Sequence, residues 1–429
     1  MTTLIRNGQV VSSFDTIASD LVIEGEKIIR VEPGIAIEPG MEVIDASGQY
    51  VLPGGIDVHV HLDLPMFNTV SSDDHYTGTK AAAFGGTTTV IDFVSQDSDN
   101  LLACIANLRK KADQRVAIDY RLHMNITHLT PQVEEQIPQL PSVGVSSVKV
   151  FTAYNDRLRL IDSDILKVMR IAGENSLLTM LHAENGDVIE MLVNEALADG
   201  HTSPIWHART RPAWGAVEAV LRGAALSAIA NAPLYIVHMN VAGEVDMLAY
   251  ARQKGLDVMG ETCLQYLFFG ETELERDDAA KWICSPPLRT NADQQRLWEG
   301  LKDGTIQVIS TDHCPFFFNG TEPINYEGES VAIPGKELGR EDFTLIPNGL
   351  PGVGDRLPVL WTAMVSSGKF SVNEFVALTS TNPAKIFGLH PQKGTLSPGS
   401  DADIVIWDPD KKVKYGTAYS HHRTDYNLY

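Results

Sequence analysis

The chain has 429 residues, of which 44% are hydrophobic and 21% are charged, so it can bury a sizeable core. Asp and Glu number 55 against 34 Lys and Arg, which gives a formal net charge of −21. This charge argues against nucleic acid or an anionic membrane as a partner, because both are themselves negative. At roughly 150 residues per domain the length predicts two or three domains, although one barrel can hold about 250 residues.

The four cysteines include no C-x-x-C pair and are too few for a disulfide scaffold in a chain of this length. We interpret them as reduced thiols of a cytoplasmic protein. The first residues contain no basic segment followed by an apolar run, so no signal peptide is predicted. The most apolar stretch, residues 224–237, is too short to span a membrane and contains Asn231 and Pro233.

The first fifty residues predict a small all-β unit, because short apolar runs are separated there by Gly, Pro and charged turns. The same pattern returns near the other end, where a Pro-Gly turn at 398–399 precedes the run Asp403–Trp407. We therefore predict one small β-sandwich domain built from both chain ends. The predicted strands of its first part are Leu4–Val11, Asp20–Glu24, Lys27–Val31 and Glu42–Asp45.

Between these ends, eight apolar and β-branched runs alternate with longer segments rich in Ala and Leu. This alternation predicts an α/β fold, a (β/α)₈ TIM barrel. The predicted domain parts are residues 1–50, 51–388 and 389–429. The predicted barrel strands are Ile56–Leu62, Thr87–Phe93, Ile118–Asn125, Ser147–Thr152, Leu177–His182, Leu234–Met239, Asp257–Thr262 and Thr305–Thr311, and helices are predicted over Asp73–Phe84, Asn100–Gln114, Asp162–Glu174, Trp214–Ile229 and Val241–Gly255.

The stretch Phe318–Asp355 follows the eighth predicted strand and contains several Gly and Pro residues. It is long for a plain connection, so we expect a functional loop or lid. Two further helices are predicted after it, over Leu357–Ser367 and Val372–Phe387.

The strongest local motif is His59-Val60-His61 at the end of the first barrel strand. Side chains alternate faces along a strand, so His59 and His61 point the same way, into the barrel. Two such imidazoles favour a metal site, and the alternative is a pair of ordinary histidines in a polar barrel mouth. Asp57 lies on the same face of the strand as these histidines, so it either orients His59 or makes a plain hydrogen bond.

Other strands end in groups that can bind metal. Lys149 lies in the fourth strand, where a buried ammonium is costly. Three alternatives are open: the amine is neutral and reactive, it is modified by CO₂ to an anionic carbamate, or the side chain extends to the barrel mouth. His182, His238 and Asp312 follow in the fifth, sixth and eighth strands. All these ends meet on one rim of a barrel, and the set suits two cations that share a bridging hydroxide.

We interpret His313 as structural, because in a strand it faces away from Asp312. We interpret the remaining histidines as structural or surface residues: His75, His123, His128, His201, His207, His390, His421 and His422.

The order of these motifs resembles the amidohydrolase superfamily, and within it the cyclic amidases dihydropyrimidinase and D-hydantoinase. The resemblance covers nearly the whole chain. Its most telling segments are PGGIDVHVHLDLP (53–65), SSVKVFTAYN (146–155), LHAENGD (181–187), PLYIVHMN (233–240), CSPPLR (284–289), STDHCPF (310–316) and PNGLPGVGDR (347–356).

The resemblance implies two divalent metal ions per subunit, usually zinc, bridged by a carboxylated Lys149. It assigns His59, His61 and Asp312 to the more buried ion, and His182 and His238 to the more exposed one. It also implies that Asp312 acts as general base and then acid on a bridging hydroxide. Tyr154 then contacts the substrate carbonyl, while Ser285 and Asn348 bind the cyclic amide through backbone groups.

The expected reaction opens dihydropyrimidines to N-carbamoyl-β-amino acids, or hydantoins to N-carbamoyl-α-amino acids. Loops around Leu64–Val70 and Leu158 are expected to line the pocket and to set the preference between these rings. The family is typically tetrameric, so we expect a homotetramer, with a dimer as the alternative. The family chain continues beyond the segment that ends this sequence at Tyr429, which leaves tail-dependent assembly open.

Three other functions compete with this reading. Allantoinase and dihydroorotase share the metal ligands but act on substrates that carry an exposed ureido group or a carboxylate. A non-catalytic, dihydropyrimidinase-like scaffold protein shares the fold but has lost metal ligands. Because this chain keeps all six ligands, an enzyme is the favoured prediction.

Overall fold

The computed structural model describes residues 2–66, 69–320, 323–326 and 329–429 of the chain. Strands from both ends of the chain form one six-stranded mixed sheet, in which Ile404–Trp407 pairs with Tyr50–Pro53. The long first strand pairs with residues 42–45 through its first half and with residues 50–51 through its second half, so one hydrogen-bonded sheet contains all six strands. The predicted boundaries at residues 50 and 388 remain predictions. The strands of this sheet are Thr2–Val11, Thr16–Glu24, Lys27–Glu32, Glu42–Asp45, Tyr50–Pro53 and Ile404–Trp407.

The middle of the chain forms an eight-stranded parallel sheet in which every strand pairs with its neighbour in sequence. The sheet closes at its carboxyl end, where His61 N donates to His313 O (2.8 Å) and His313 N donates to His59 O (3.3 Å). This closure confirms the predicted (β/α)₈ barrel and its strand count. Its strands are Gly55–Val60, Thr87–Val94, Asp119–Asn125, Ser147–Phe151, Leu178–His182, Leu234–Ile236, Val258–Cys263 and Val308–Ser310.

The sixth and eighth barrel strands end earlier than predicted. His238 has a φ of 41° and Asp312 a φ of 51°, so both residues leave the extended backbone region. A strand cannot continue through such a residue, and strand alternation therefore does not predict where these two side chains point.

Helices cover the outside of the barrel, and those predicted from the sequence are present with ends shifted by a few residues. The two late helices each contain a π-helical turn, over Thr362–Ser366 and Ala377–Thr381. The α-helices are His75–Phe84, Leu101–Ala112, Pro131–Gln136, Asp162–Glu174, Gly186–Ala198, Ile205–Arg209, Ala213–Ala230, Ala242–Gln253, Leu264–Phe268, Asn291–Asp303, Arg356–Trp361, Val372–Val376, Asn382–Ile386 and Thr417–Ser420. Short 3₁₀ turns cover Ile137–Val143, Glu271–Glu275, Ala279–Trp282, Lys336–Gly339 and Phe343–Leu345.

One helix of the described chain, Ala213–Ala230, is long and apolar enough by length and composition to cross a membrane. In the fold it is a barrel helix, which packs between Asp162–Glu174 and Ala242–Gln253. Its buried face includes Val220, Gly223 and Ala224. Length and composition alone are therefore weak grounds for a membrane span here.

The predicted lid segment carries a short hairpin of Pro323–Tyr326 and Glu329–Ala332. A second hairpin, Pro65–Met66 with Thr69–Val70, follows the first barrel strand. The two meet in a buried apolar cluster of Val70, Phe317, Ile324 and Ile333. Residues 67–68 of the predicted specificity loop, and residues 321–322 and 327–328 of the predicted lid, lie outside the described residues.

Candidate metal centre and active site

The six predicted ligands lie at the carboxyl ends of the barrel strands. His59, Lys149 and His182 belong to strands, whereas His61, His238 and Asp312 follow shortly after a strand end. Four of them are almost completely buried, with exposed fractions of 0–3%: His59, Lys149, His182 and His238.

Three of these side chains meet at one point. Asp312 Oδ1 lies 3.1 Å from His59 Nε2 and 3.2 Å from His61 Nε2. One ligand atom from each of the three lies within 4.8 Å of the others, which is the spacing of a cluster able to hold a metal ion. Burial by itself raises the pKa of the Asp312 carboxyl, but the neighbouring His59 and His61 lower it to about 2.

The other two histidines face each other next to this cluster. His182 Nδ1 lies 2.9 Å from His238 Nε2, and the His238 ring lies 5.5 Å from the His59 ring between centroids. Burial lowers the pKa of His238 well below its usual range, so its imidazole is neutral and has a lone pair available to a cation.

Lys149 reaches the same pocket from the fourth strand. Its Nζ lies 3.0 Å from His59 Nε2 and 4.2 Å from the centroid of the Phe93 ring. Burial lowers the pKa of the Lys149 ammonium to about 8, although Asp312 and Glu261 oppose this effect. The neutral amine, which is the form that reacts with CO₂, is therefore accessible near neutral pH.

Two glutamates orient the histidines, and the sequence analysis assigned a role to neither of them. Glu261 Oε1 lies 2.5 Å from His59 Nδ1, and Glu184 Oε2 lies 2.9 Å from His182 Nε2. Each carboxylate fixes one ring nitrogen of a histidine, which leaves the other nitrogen facing the pocket. The motif His182-Ala-Glu184 could have revealed one of them, because positions i and i+2 at a strand end share a face. Glu261 comes from a distant strand, and no local pattern connects it to His59.

Of the two alternatives left open for Asp57, the structure shows plain hydrogen bonds rather than orientation of the His59 imidazole. The Asp57 carboxylate accepts bonds from the Thr311 hydroxyl (2.7 Å) and from the backbone N–H of His59 (3.2 Å). Arg356 Nε lies 3.8 Å from it. Asp57 lies deeper in the barrel than the imidazoles, so its carboxylate joins the first and eighth strands beneath the centre.

His313 makes structural contacts, although the strand alternation from which this role was inferred ends before Asp312. Its Nε2 lies 3.1 Å from Asp73 Oδ2, and its Nδ1 accepts a bond from Gly352 N (3.1 Å). It therefore holds two rim loops together and offers no nitrogen to the centre.

Three of the predicted site residues have left-handed backbones. The φ angles of Tyr154, His238 and Asp312 are 67°, 41° and 51°. Non-glycine residues rarely adopt this region, which costs about 1–3 kcal/mol each and often occurs at functional sites. The strain turns these side chains into the pocket where the strands end.

The structure brings Tyr154 and Ser285 together beside the histidines, whereas Asn348 lies on a neighbouring loop. The Tyr154 ring lies 4.9 Å from the His182 ring between centroids, and Ser285 is near enough to the phenol to affect its pKa. Burial raises the pKa of the Tyr154 phenol, so it is a protonated donor at neutral pH. The loop of Asn348 is joined to the segment before Ser285, because Gly349 N donates to Ile283 O at 3.1 Å.

His207 belongs to the site's surroundings, although the sequence analysis interpreted it as structural or surface. Its Nε2 lies 2.9 Å from Cys284 O and 3.2 Å from Ser285 Oγ. It is 1% exposed and comes from a short helix far away in sequence, which explains why no pattern connects it to Ser285.

The donor set fits a metal centre, with His59, His61 and Asp312 as its nucleus. The four imidazoles and the Asp312 carboxylate are ligand types that borderline metals such as zinc prefer. The facing ring nitrogens of His182 and His238 lie 2.9 Å apart, so a bound cation would give them a shared partner.

Comparisons with known proteins agree with this geometry. Residues 50–424 match the model of the amidohydrolase family. The chain is also 44% identical to a D-hydantoinase of Geobacillus stearothermophilus, over 100% of this chain and 88% of that protein. It belongs to the hydantoinase and dihydropyrimidinase group of the amidohydrolase family.

Two further relatives of this amidohydrolase support the same assignment. A D-hydantoinase of Rhizobium radiobacter is 41% identical over 100% of this chain and 91% of that protein. The crystal structure of a dihydropyrimidinase from Brevibacillus agri has a TM-score of 0.94 and 45% identity, covering 100% of this chain and 90% of that one. Both the predicted family and the predicted barrel are thereby confirmed. The roles of individual residues remain predictions.

Proposed function

We propose that this amidohydrolase opens cyclic amides by hydrolysis. Its substrates are 5,6-dihydropyrimidines, hydantoins, or both. The former give N-carbamoyl-β-amino acids, and the latter give N-carbamoyl-α-amino acids. The observation that carries this proposal is the convergence of His59, His61 and Asp312 on one point of the barrel rim, beside the facing pair His182 and His238. The hydantoinase and dihydropyrimidinase names of the relatives support the substrate class.

The metal centre of the proposal consists of two divalent cations, with zinc as the preferred ion. His59, His61 and Asp312 would hold one of them, and His182 and His238 the other. When bound, such a pair supplies an activated water and polarises the substrate carbonyl. Zinc suits these residues because imidazole nitrogen and carboxylate oxygen are its common ligands.

Lys149 would join the two ions as a carbamate. Its neutral amine forms a bond to the carbon of CO₂ and releases one proton, which gives an anionic carboxylate on Nζ. The buried position and lowered pKa of Lys149 support this modification, because they favour the neutral amine. A carbamate also removes the cost of a buried ammonium and supplies negative charge beside two cations.

The protein's own groups would then move protons and orient the ring. Asp312 accepts a proton from the attacking water and passes it to the departing ring nitrogen. The Tyr154 hydroxyl donates to the carbonyl oxygen as negative charge develops on it. Backbone groups at Ser285 and Asn348 hold the ring.

Replacing Tyr154 by Phe should lower kcat by about 10- to 100-fold, because one donor to the developing oxyanion is lost. The metal content should not change, since the hydroxyl is not among the proposed ligands. Tyr120→Phe is a matched control, because its hydroxyl bonds to Asp113 at the opposite end of the barrel strands. An unchanged kcat in Tyr154→Phe would exclude the proposed donation.

The substrate class is tested by a panel of cyclic amides with zinc-reconstituted protein. Ring opening of 5,6-dihydrouracil and of a hydantoin is followed as loss of ring-amide absorbance, and dihydroorotate and allantoin are run in parallel. We expect turnover of at least one of the first two rings and little of the others. Turnover of dihydroorotate or allantoin alone would move the assignment to those activities. A protein without stoichiometric metal and without turnover would instead be a non-catalytic scaffold.

We also propose a cytoplasmic homotetramer. All four cysteines are free and buried, which supports a reducing compartment. The outer face of the helix Ala213–Ala230 exposes Trp214, Leu221 and Ile229, with exposed fractions of 80%, 45% and 60%. Apolar side chains in one stripe support an interface with another copy. Light scattering should give the tetramer mass, and a monomer at working concentration would refute the assembly.

A further inference from the structure

Lys336 is a buried lysine next to the loops that are proposed to hold the substrate ring. It lies in the turn Lys336–Gly339 and is 1% exposed. Burial lowers the pKa of its ammonium to about 7, and the groups that oppose this shift are the thiols of Cys284 and Cys314 rather than a carboxylate. A buried cation that has no carboxylate partner among the described residues is costly, so the bonds that hold it there are informative.

Its ammonium bridges two backbone carbonyls. Lys336 Nζ donates to Ile283 O and to Pro347 O, each at 3.0 Å. The Pro347 carbonyl shares its peptide group with the N–H of Asn348, and Ile283 precedes Cys284 and Ser285 in the chain. The two acceptors therefore belong to the two segments proposed to contact the ring.

Further backbone bonds complete this junction. Gly349 N donates to the same Ile283 oxygen at 3.1 Å, and Lys336 N donates to Phe317 O at 2.8 Å. Lys336 is thus connected to the segment that follows Asp312 as well as to the two ring-binding segments. Its position couples all three parts of the pocket wall.

We propose that Lys336 is a positioning residue that fixes the spacing between the Ser285 and Asn348 segments for binding of the cyclic amide ring. This inference rests on the proposed function, because it assigns a ring to the space between these segments. An ammonium bonded to the Pro347 carbonyl also polarises that peptide group, which makes the Asn348 N–H a stronger donor. An apolar side chain of the same length would fill the space without fixing either carbonyl.

The inference predicts a change in substrate binding rather than in chemistry. Lys336→Met should raise KM for the ring substrate about tenfold or more, because both segments contact the ring in the ground state and the transition state alike. kcat should stay within about threefold of the wild-type value, and metal content should be unchanged. A loss of stability alone would not produce this separation of KM from kcat.

Lys393→Met is a matched control. Lys393 is a buried lysine with a side chain 4% exposed, and it pairs with Asp119, Asp401 and Asp403 away from the rim. Its loss should lower the melting temperature without changing KM. Steady-state kinetics, metal analysis and thermal unfolding are measured for the wild type and both variants.

The outcomes distinguish a failure of the proposed function from a failure of the positioning role of Lys336. A wild-type protein that opens no cyclic amide refutes the proposed function itself. An active wild type with unchanged KM in folded Lys336→Met overturns the positioning role alone. If Lys336→Met does not fold, Lys336→Gln is measured against the same criterion. Failure of both variants to fold would assign Lys336 to stability and would also overturn the positioning role.

Discussion

Asp312→Asn should retain the fold and part of the bound metal but lose about a thousandfold or more in ring opening. An amide oxygen can still face His59 and His61, which lie 3.1 and 3.2 Å from Asp312 Oδ1. It cannot accept a proton from water and return it to the leaving nitrogen, and such transfer typically contributes 10²–10⁴-fold. The measurement is kcat for the best ring substrate, together with metal content of the same preparation.

A matched control for Asp312→Asn is Asp187→Asn. Asp187 lies near the same rim, in the first turn of the helix Gly186–Ala198. Its side chain is 67% exposed and pairs with Arg159. This control should keep kcat within about twofold, as expected for a surface substitution away from the chemistry. A nearly normal rate in Asp312→Asn would refute the proton-transfer role.

Lys149→Ala should lose metal occupancy and activity together. The substitution removes the amine next to His59 and with it the proposed carbamate, so two cations would lie close together without a bridging anion. A short carboxylic acid in solution should restore part of the activity, because its carboxylate can enter the space that the lysine leaves. Metal content and kcat are measured with and without the added acid.

The variant Lys393→Met distinguishes loss of the bridge from a general loss of stability, because Lys393 is a buried lysine outside the site. That variant should keep two metal ions per chain even if it unfolds at a lower temperature. Full affinity for two ions in Lys149→Ala would contradict the bridge. Rescue by acetate without rescue by a neutral amide of similar size would identify the carboxylate as the missing group.

The architecture could be predicted because its signals are local. Alternating apolar runs and Ala-rich segments gave eight strands and the helices that cover them, and the helix Asp162–Glu174 has its predicted ends. The ends of the sixth and eighth strands could not be predicted in this way. The left-handed backbones of His238 and Asp312 depend on the surrounding loops, and no propensity of His or Asp indicates them.

The candidate ligands could be found because each lies at or just after the end of an apolar strand, and all such ends meet on one rim of a barrel. The supporting groups were harder to find because their partners are distant in sequence. Glu261 lies 2.5 Å from His59 Nδ1 across a separation of 202 residues, and Lys336 reaches Ile283 across 53. Contacts of this kind follow from the closed barrel rather than from any local pattern.

The central claim is that a metal centre at this rim opens cyclic amides, and one preparation can test it. Metal content and ring opening of 5,6-dihydrouracil and a hydantoin are measured on purified protein, after chelation, and after zinc is restored. We expect two ions per chain, loss of turnover on chelation and its return with zinc. Turnover that is unaffected when the protein has been stripped of metal would contradict the account.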